Sequence, residues 1–108
     1  MDANNDLSQC PVTATMSMIG GKWKPIVIYA IGDKTRRFGE ISARIPGLSR
    51  KVLTEQLKQL EEDGLVSRKQ YNEIPPRVEY ALTGLGASLG EILNSMAEWG
   101  RKHVLEAG

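Results

Sequence analysis

Apolar residues recur along this chain with two different periods, and the change between them falls at Gly64. Before it the spacing is helical. Pro11 suits a first helical position with Cys10 as the cap, and Val12, Met16 and Ile19 share one side of a helix that Gly20-Gly21 ends. A second helix, about Trp23 to Ile31, is apolar nearly all round (Ile26, Val27, Ile28, Ala30, Ile31), as befits the centre of a core, and Pro25 fits its first turn. A short third helix runs from about Phe38 to Arg44 with Phe38, Ile41 and Ile45 inward, and Pro46-Gly47 stops it and turns the chain. Ser49 then caps a fourth helix, in which Val52, Leu53, Leu57 and Leu60 form one stripe. Leu48 is placed to staple onto Leu53, and Gly64 to take the left-handed conformation that folds Leu65 back on Leu60.

After Gly64 the period is two. Val66, Arg68 and Gln70 alternate with Ser67, Lys69 and Tyr71, and later Val78, Tyr80 and Leu82 alternate with Glu79 and Ala81, so residues 66 to 71 and 77 to 82 are predicted to form a hairpin. The joining stretch NEIPP is too long and too proline-rich for a two-residue turn. Thr83 is a plausible cap for a last helix reaching about His103, with Leu85, Leu89, Ile92, Leu93, Met96 and Trp99 at helical spacing. Gly84, Gly86 and Gly90 weaken its start by roughly 1 kcal/mol each relative to Ala, so those turns depend on tertiary support. Residues 1 to 9 are polar and expected to be mobile.

A short helix, a Pro-Gly turn and a helix with a basic front is the order of a helix-turn-helix, and a basic hairpin directly after it is a wing. The expected fold is therefore mainly α (α+β), a winged helix-turn-helix with a two-stranded β-wing. One domain is expected over residues 10 to 108, with the helix-turn-helix at about 38 to 63, the wing at about 66 to 82 and the last helix at about 84 to 103. A chain of 108 residues has only a modest core, and the last helix, with Met96 and Trp99, has apolar surface suited to a second subunit.

Net charge, +1, says little about partners, but its distribution does. From Lys22 to Lys58 nine basic residues face three acidic ones, a local excess of six positive charges. Within the fourth helix Arg50 and Lys51 sit at the start and Glu61, Glu62 and Asp63 at the end, the reverse of what its dipole favours. That arrangement suits an outside anion, and an exposed N-terminus with Arg, Lys, Ser and Thr fits base edges and phosphates. The candidate contacts to double-stranded DNA are Arg37, Ser49, Arg50, Lys51, Thr54, Glu55 and Lys58, with Arg68, Lys69 and Arg77 of the wing on phosphate or in the minor groove. An ordinary solvated face explains the helix alone, and a winged-helix module for protein contacts would share the core; the basic helix and basic hairpin in succession favour DNA.

Other chemistries find little support. Gly20-Gly21-Lys22 lacks the glycine five residues earlier, where Met16 stands, and has Trp23 in place of the Ser or Thr of a phosphate loop. His103 has no second ligand at metal spacing, and no nucleophile-base pairing announces an enzyme, so neither metal nor cofactor is expected. The first residues show no signal-peptide pattern and no run of 18 apolar residues suggests a membrane span, so a cytoplasmic location is expected. The single cysteine, Cys10, allows no internal disulfide and leaves two readings open. A thiol at a helix N-terminus, with Lys22 or Lys24 within reach, is favoured as thiolate and so suits sensing of an oxidant or electrophile. Alternatively it is an inert small cap, and a ligand carries the signal.

The strings Cys10-Pro11-Val12, Ile19-Gly20-Gly21-Lys22-Trp23, Arg37-Phe38 with Glu40-Ile41, Leu60-Glu61 with Asp63-Gly64-Leu65-Val66, Pro75-Pro76-Arg77-Val78-Glu79-Tyr80, Leu82-Thr83 and Trp99-Gly100 together resemble the HxlR family of winged helix-turn-helix transcriptional regulators across nearly the whole chain. The resemblance implies a bacterial-type homodimer built through its N- and C-terminal helices, with Val12, Met16, Leu89, Ile92, Leu93, Met96 and Trp99 at the interface. It also implies that the helix from Ser49 enters the major groove with the wing beside it, and that Cys10 lies where several members carry a thiol responsive to oxidants or electrophiles. Operator choice would differ at the exposed residues of that helix, Glu55 among them.

Overall fold

The computed structural model describes residues 7–106. Five helices and three strands follow in the order α1 (Pro11–Ile19), α2 (Lys24–Ile31), β1 (Arg36–Arg37), α3 (Phe38–Arg44), α4 (Arg50–Glu62), β2 (Val66–Tyr71), β3 (Arg77–Leu82) and α5 (Gly84–Gly100), and a π-helical turn over Arg101–Leu105 extends the last. This is the expected mainly α winged helix-turn-helix. Of the N-terminal segment expected to be mobile, residues 1 to 6 lie outside the described residues, and residues 7 to 9 form a turn closed by the Cys10 amide on the Leu7 carbonyl at 3.2 Å.

The core forms where the predicted apolar stripes converge. Ile28 and Ile31 of α2, Ile41 of α3, Leu53, Leu57 and Leu60 of α4, and Leu65 are fully buried. Each such side chain contributes about 1.5–3 kcal/mol relative to exposure, so α2, α3 and α4 are held mainly by this shared interior. The ends of α4 are closed as its sequence suggests. Ser49 Oγ accepts from the Val52 amide at 3.1 Å. At the other end Gly64 has φ +77, and the amides of Leu65 and Gly64 donate to the carbonyls of Leu60 (2.9 Å) and Glu61 (3.1 Å), a Schellman ending. The acids at that end are partly compensated, because Lys24 at the start of α2 reaches Asp63 at 3.7 Å.

The hairpin pairs Val66 with Leu82 through to Tyr71 with Arg77, and β1 adds to the far side of β3, with Arg36 opposite Tyr80 and Arg37 opposite Glu79. β1 was not expected. Two arginines after a turn carry no strand pattern; the free edge of β3 supplies the pairing, and Arg36 Nε donates to the Ile31 carbonyl (2.8 Å) at the end of α2.

Two expectations about the last helix are corrected. Leu89 and Leu93 do not lie on its free face; they are buried in the chain's own core, while Ile92, Met96 and Trp99 are exposed. The six apolar positions span two stripes: Leu89 and Leu93 turn inward together with Gly86, and Leu85, Ile92, Met96 and Trp99 face out. Nor is Gly86 simply a weakness. A Cβ there would overlap the Leu65 carbonyl oxygen, so glycine is what allows α5 to approach the α4–β2 junction. Thr83 secures that approach: its amide donates to Leu65 O at 3.0 Å, its hydroxyl donates to Gly64 O at 2.6 Å, and the same oxygen accepts from the Gly86 amide at 3.1 Å.

Candidate nucleic-acid interface

The helix-turn-helix sorts its side chains by face. Leu53, Leu57 and Leu60 fix one side of α4 in the core, so Arg50, Lys51, Thr54, Glu55 and Lys58 are all exposed on the other. Among the described residues, none of the charged members of this row takes part in an ion pair. Thr54 donates to the Arg50 carbonyl at 2.8 Å, which leaves its oxygen free to accept. The Arg50 guanidinium lies over the Phe38 ring, 4.6 Å from its centroid. Ser49 has spent its oxygen on the cap but keeps a hydroxyl proton to donate. Arg37 is exposed just ahead of α3, where its amide donates to Glu40 Oε1 at 2.8 Å, and the β1–β3 pairing sets it opposite Glu79, midway along the wing.

The wing is less basic in effect than in sequence. Lys69 and Tyr71 share a face of β2, and register brings Glu79 opposite Lys69 and Arg77 opposite Tyr71. Arg77 stacks on the Tyr71 ring at 3.8 Å and is flanked by Glu73 (3.0 Å) and Glu79 (3.8 Å), while the Tyr71 hydroxyl donates to Glu79 at 2.9 Å. Its charge is thus committed inside the wing. Arg68 makes one long bond to Gln70 (3.3 Å), and Lys69, exposed, lies 4.8 Å over Tyr71, so these two remain presentable to phosphate. Reading residues by charge had overlooked Phe38, Tyr71, Glu73 and Glu79. The last three follow from pairing Tyr71 with Arg77 across the five-residue loop.

Cys10 is half-buried at the N-cap of α1. The amide of Thr13, then its hydroxyl, then the amide of Val12 hold the thiol pKa below its usual value, although no cap hydrogen bond to the sulfur is formed. The lysines proposed above have other partners: Lys22 lies over the Trp23 ring at 4.7 Å and Lys24 pairs with Asp63. Thiolate stabilisation therefore comes from the helix end itself.

Of the residues expected at a dimer interface, Val12 and Met16 on α1 and Ile92, Met96 and Trp99 on α5 present apolar surface to solvent. A cleft of about 450 Å³ opens between α2, α3 and α5, lined by Tyr29, Arg36, Arg44, Glu91 and Asn94 over Ile28 and Leu82. No three of the described His, Cys, Asp and Glu residues are grouped to hold a metal, and no described helix is long and apolar enough to cross a membrane.

A family model described as HxlR-like helix-turn-helix matches residues 18–107. The HTH-type transcriptional regulator YybR of Bacillus subtilis (strain 168) is 45% identical over 100 residues, covering 91% of this chain and 80% of YybR. Among solved structures, the oxidized form of the redox regulator HypR superposes with a TM-score of 0.81 at 45% identity, over 87% of this chain and 97% of that one. Diamide-treated YodB from B. subtilis superposes with a TM-score of 0.70 at 35% identity, over 87% and 94%.

Proposed function

The chain belongs to the HxlR-like helix-turn-helix family and is a DNA-binding transcriptional regulator, and from that premise we propose how it meets its operator. It acts as a homodimer joined through α1 and α5, with one α4 from each subunit in a major groove. Recognition helices so related contact half-sites about 34 Å apart, and the operator is an imperfect inverted repeat with centres one helical turn, or a multiple, apart. Arg50, Lys51, Thr54, Glu55 and Lys58 face the bases, with Ser49 and Arg37 at the edges on phosphate. Arg68 and Lys69 hold the wing against the backbone. With operator DNA as its partner, its place is the cytoplasm.

One observation carries this reading: the row from Arg50 to Lys58 is exposed and, among the described residues, free of ion pairs on a helix whose other side is locked in the core. Titrations across salt, on an operator selected from genomic fragments, test it. Arg50→Ala is expected to cost roughly 1–3 kcal/mol and relax discrimination at one base pair, and Lys69→Ala to weaken binding evenly and reduce the salt slope by about 1. Unchanged affinity in both variants would remove the assignment. No retention of any fragment, at low salt as at high, would favour a winged-helix module for protein contacts without DNA binding.

For the signal, the thiolate-favouring site at Cys10 supports oxidant or electrophile sensing. With one cysteine in the chain, the stable products are an alkyl adduct, a mixed disulfide with a small thiol, or a disulfide between the Cys10 residues of the two subunits. Each would act where α1 meets the partner and so alter the spacing of the two α4 helices. The α2–α3–α5 cleft favours a second reading, in which a small effector binds there and Cys10 is structural. Operator affinity before and after diamide, in wild type and Cys10→Ser, separates them. A response confined to wild type supports the thiol, and none in either leaves the cleft.

A further inference from the structure

Arg50 is held on three sides before any DNA arrives. Its backbone opens α4 under the Ser49 cap, its carbonyl accepts the Thr54 hydroxyl at 2.8 Å, and its guanidinium lies 4.6 Å from the centroid of the Phe38 ring. The ring is a fixed support. Phe38 is the first residue of α3, is partly buried and packs against the core cluster, and follows directly on β1, which is paired to β3. The guanidinium is otherwise unengaged: among the described residues it makes no ion pair and donates no hydrogen bond.

A cation over a ring is held by the ring's quadrupole, which consumes no hydrogen-bond acceptor or donor pairing, and Arg50 gives no N–H to a protein acceptor among the described residues, so its five donors stay available in the fork that matches O6 and N7 of guanine. A ring beneath the guanidinium therefore removes rotamer freedom from a long side chain while leaving its donors to a base. A Lys in this position would keep the charge and lose the planar fork.

We propose that Phe38, which need not touch DNA itself, is the positioning residue for base reading: its ring pre-orders Arg50 as a bidentate guanine reader, so that discrimination at one G·C pair depends on an aromatic side chain at position 38. This rests on the reading of Arg50 as a base contact, and the test separates the two. The experiment is a double-mutant cycle of Phe38→Leu and Arg50→Ala on a duplex selected by the wild-type protein, together with duplexes substituted at each G·C pair and with Phe38→Tyr as the aromatic-preserving variant.

From the usual strength of such contacts at exposed sites, Phe38→Leu is expected to weaken operator binding roughly two- to fivefold. The loss concentrates at the single base pair whose recognition Arg50→Ala also abolishes, Phe38→Tyr restores it, and Phe38→Leu has no further effect once Arg50 is Ala. Thermal melting of each variant accompanies the titrations, but the cycle decides the matter even if Phe38→Leu lowers stability, because a general packing defect weakens binding equally with and without Arg50. Equal loss in both backgrounds, or loss spread over all base pairs, would overturn the positioning role while leaving Arg50 as a reader. No loss with Arg50→Ala would instead overturn the reading on which it rests.

Discussion

At Arg77 the neighbours decide what a basic residue does. From its place in a basic hairpin it is a candidate for phosphate, yet Tyr71, Glu73 and Glu79 enclose it, with its side chain 29% exposed. If its charge serves the wing rather than DNA, Arg77→Ala weakens operator binding by leaving two carboxylates facing phosphate, and adding Glu73→Gln and Glu79→Gln to it restores most of the affinity. A triple variant as weak as the single one would return Arg77 to the backbone contacts. Cys10 is the second residue whose surroundings set its chemistry. Because Thr13 and Val12 favour the thiolate, its pKa lies below the ordinary thiol range, so a larger thiolate fraction is present at neutral pH and falls away on acidification. Iodoacetamide alkylation followed against pH should show a midpoint below that of the unfolded chain, and Thr13→Val should move it upward; coincident midpoints for folded and unfolded protein would count against an activated thiol.

The elements show why glycines of equal helix propensity are not equal in the fold. Gly86 and Gly90 both lie in α5, and on propensity alone either would gain up to about 1 kcal/mol from Ala. At Gly90 the new methyl would meet Leu82 Cδ1 at 3.5 Å, an ordinary contact, so Gly90→Ala is expected to raise the melting temperature. At Gly86 the methyl would overlap a backbone carbonyl that α4 and β2 hold in place, and such overpacking costs about 1–3 kcal/mol, more than the propensity gain. Gly86→Ala should lower the melting temperature, and a rise there would mean that α5 can move away from Leu65 freely. The same junction fixes the position of α5, since Thr83 bonds to both Gly64 and Leu65 next to the end of α4.

On the scale of the whole molecule, the described chain is elongated. Its radius of gyration is 16.1 Å, against about 13 Å for a compact chain of this length, and its longest extent is 59 Å. Only Ile19 of α1 is buried, and the outer stripe of α5 leaves Ile92, Met96 and Trp99 at 49%, 54% and 62% exposure. Apolar surface of this kind on projecting helices fits association with a second copy. Trp99→Glu, which places a charge on that stripe without touching the core, is expected to shift sedimentation from dimer to monomer and to abolish tight operator binding with it. A wild-type protein sedimenting as a monomer at micromolar concentration would end the dimer proposal.

Sequence alone determined the elements and their succession, because caps, stops and hydrophobic period act over a few neighbouring residues: Ser49, Pro46-Gly47, Gly64-Leu65 and the change to alternation at Val66 all mark boundaries the structure reproduces. It also marked the exposed row of α4, since a stripe of Leu53, Leu57 and Leu60 leaves only one other side. What depended on contacts distant in the chain was decided by tertiary structure. β1 exists because β3 offers an edge, Leu89 and Leu93 turn inward because the core lies on that side of α5, and Gly86 is required by a carbonyl 21 residues away in sequence. Two of the pairings that set the electrostatics of the interface belong to the same class. Lys24 goes to Asp63 and Arg50 to the Phe38 ring, pairings whose separation in the chain says nothing of their distance in space until the core has closed, whereas Arg77 meets Glu73 and Glu79 close by in the chain and needs only the hairpin register.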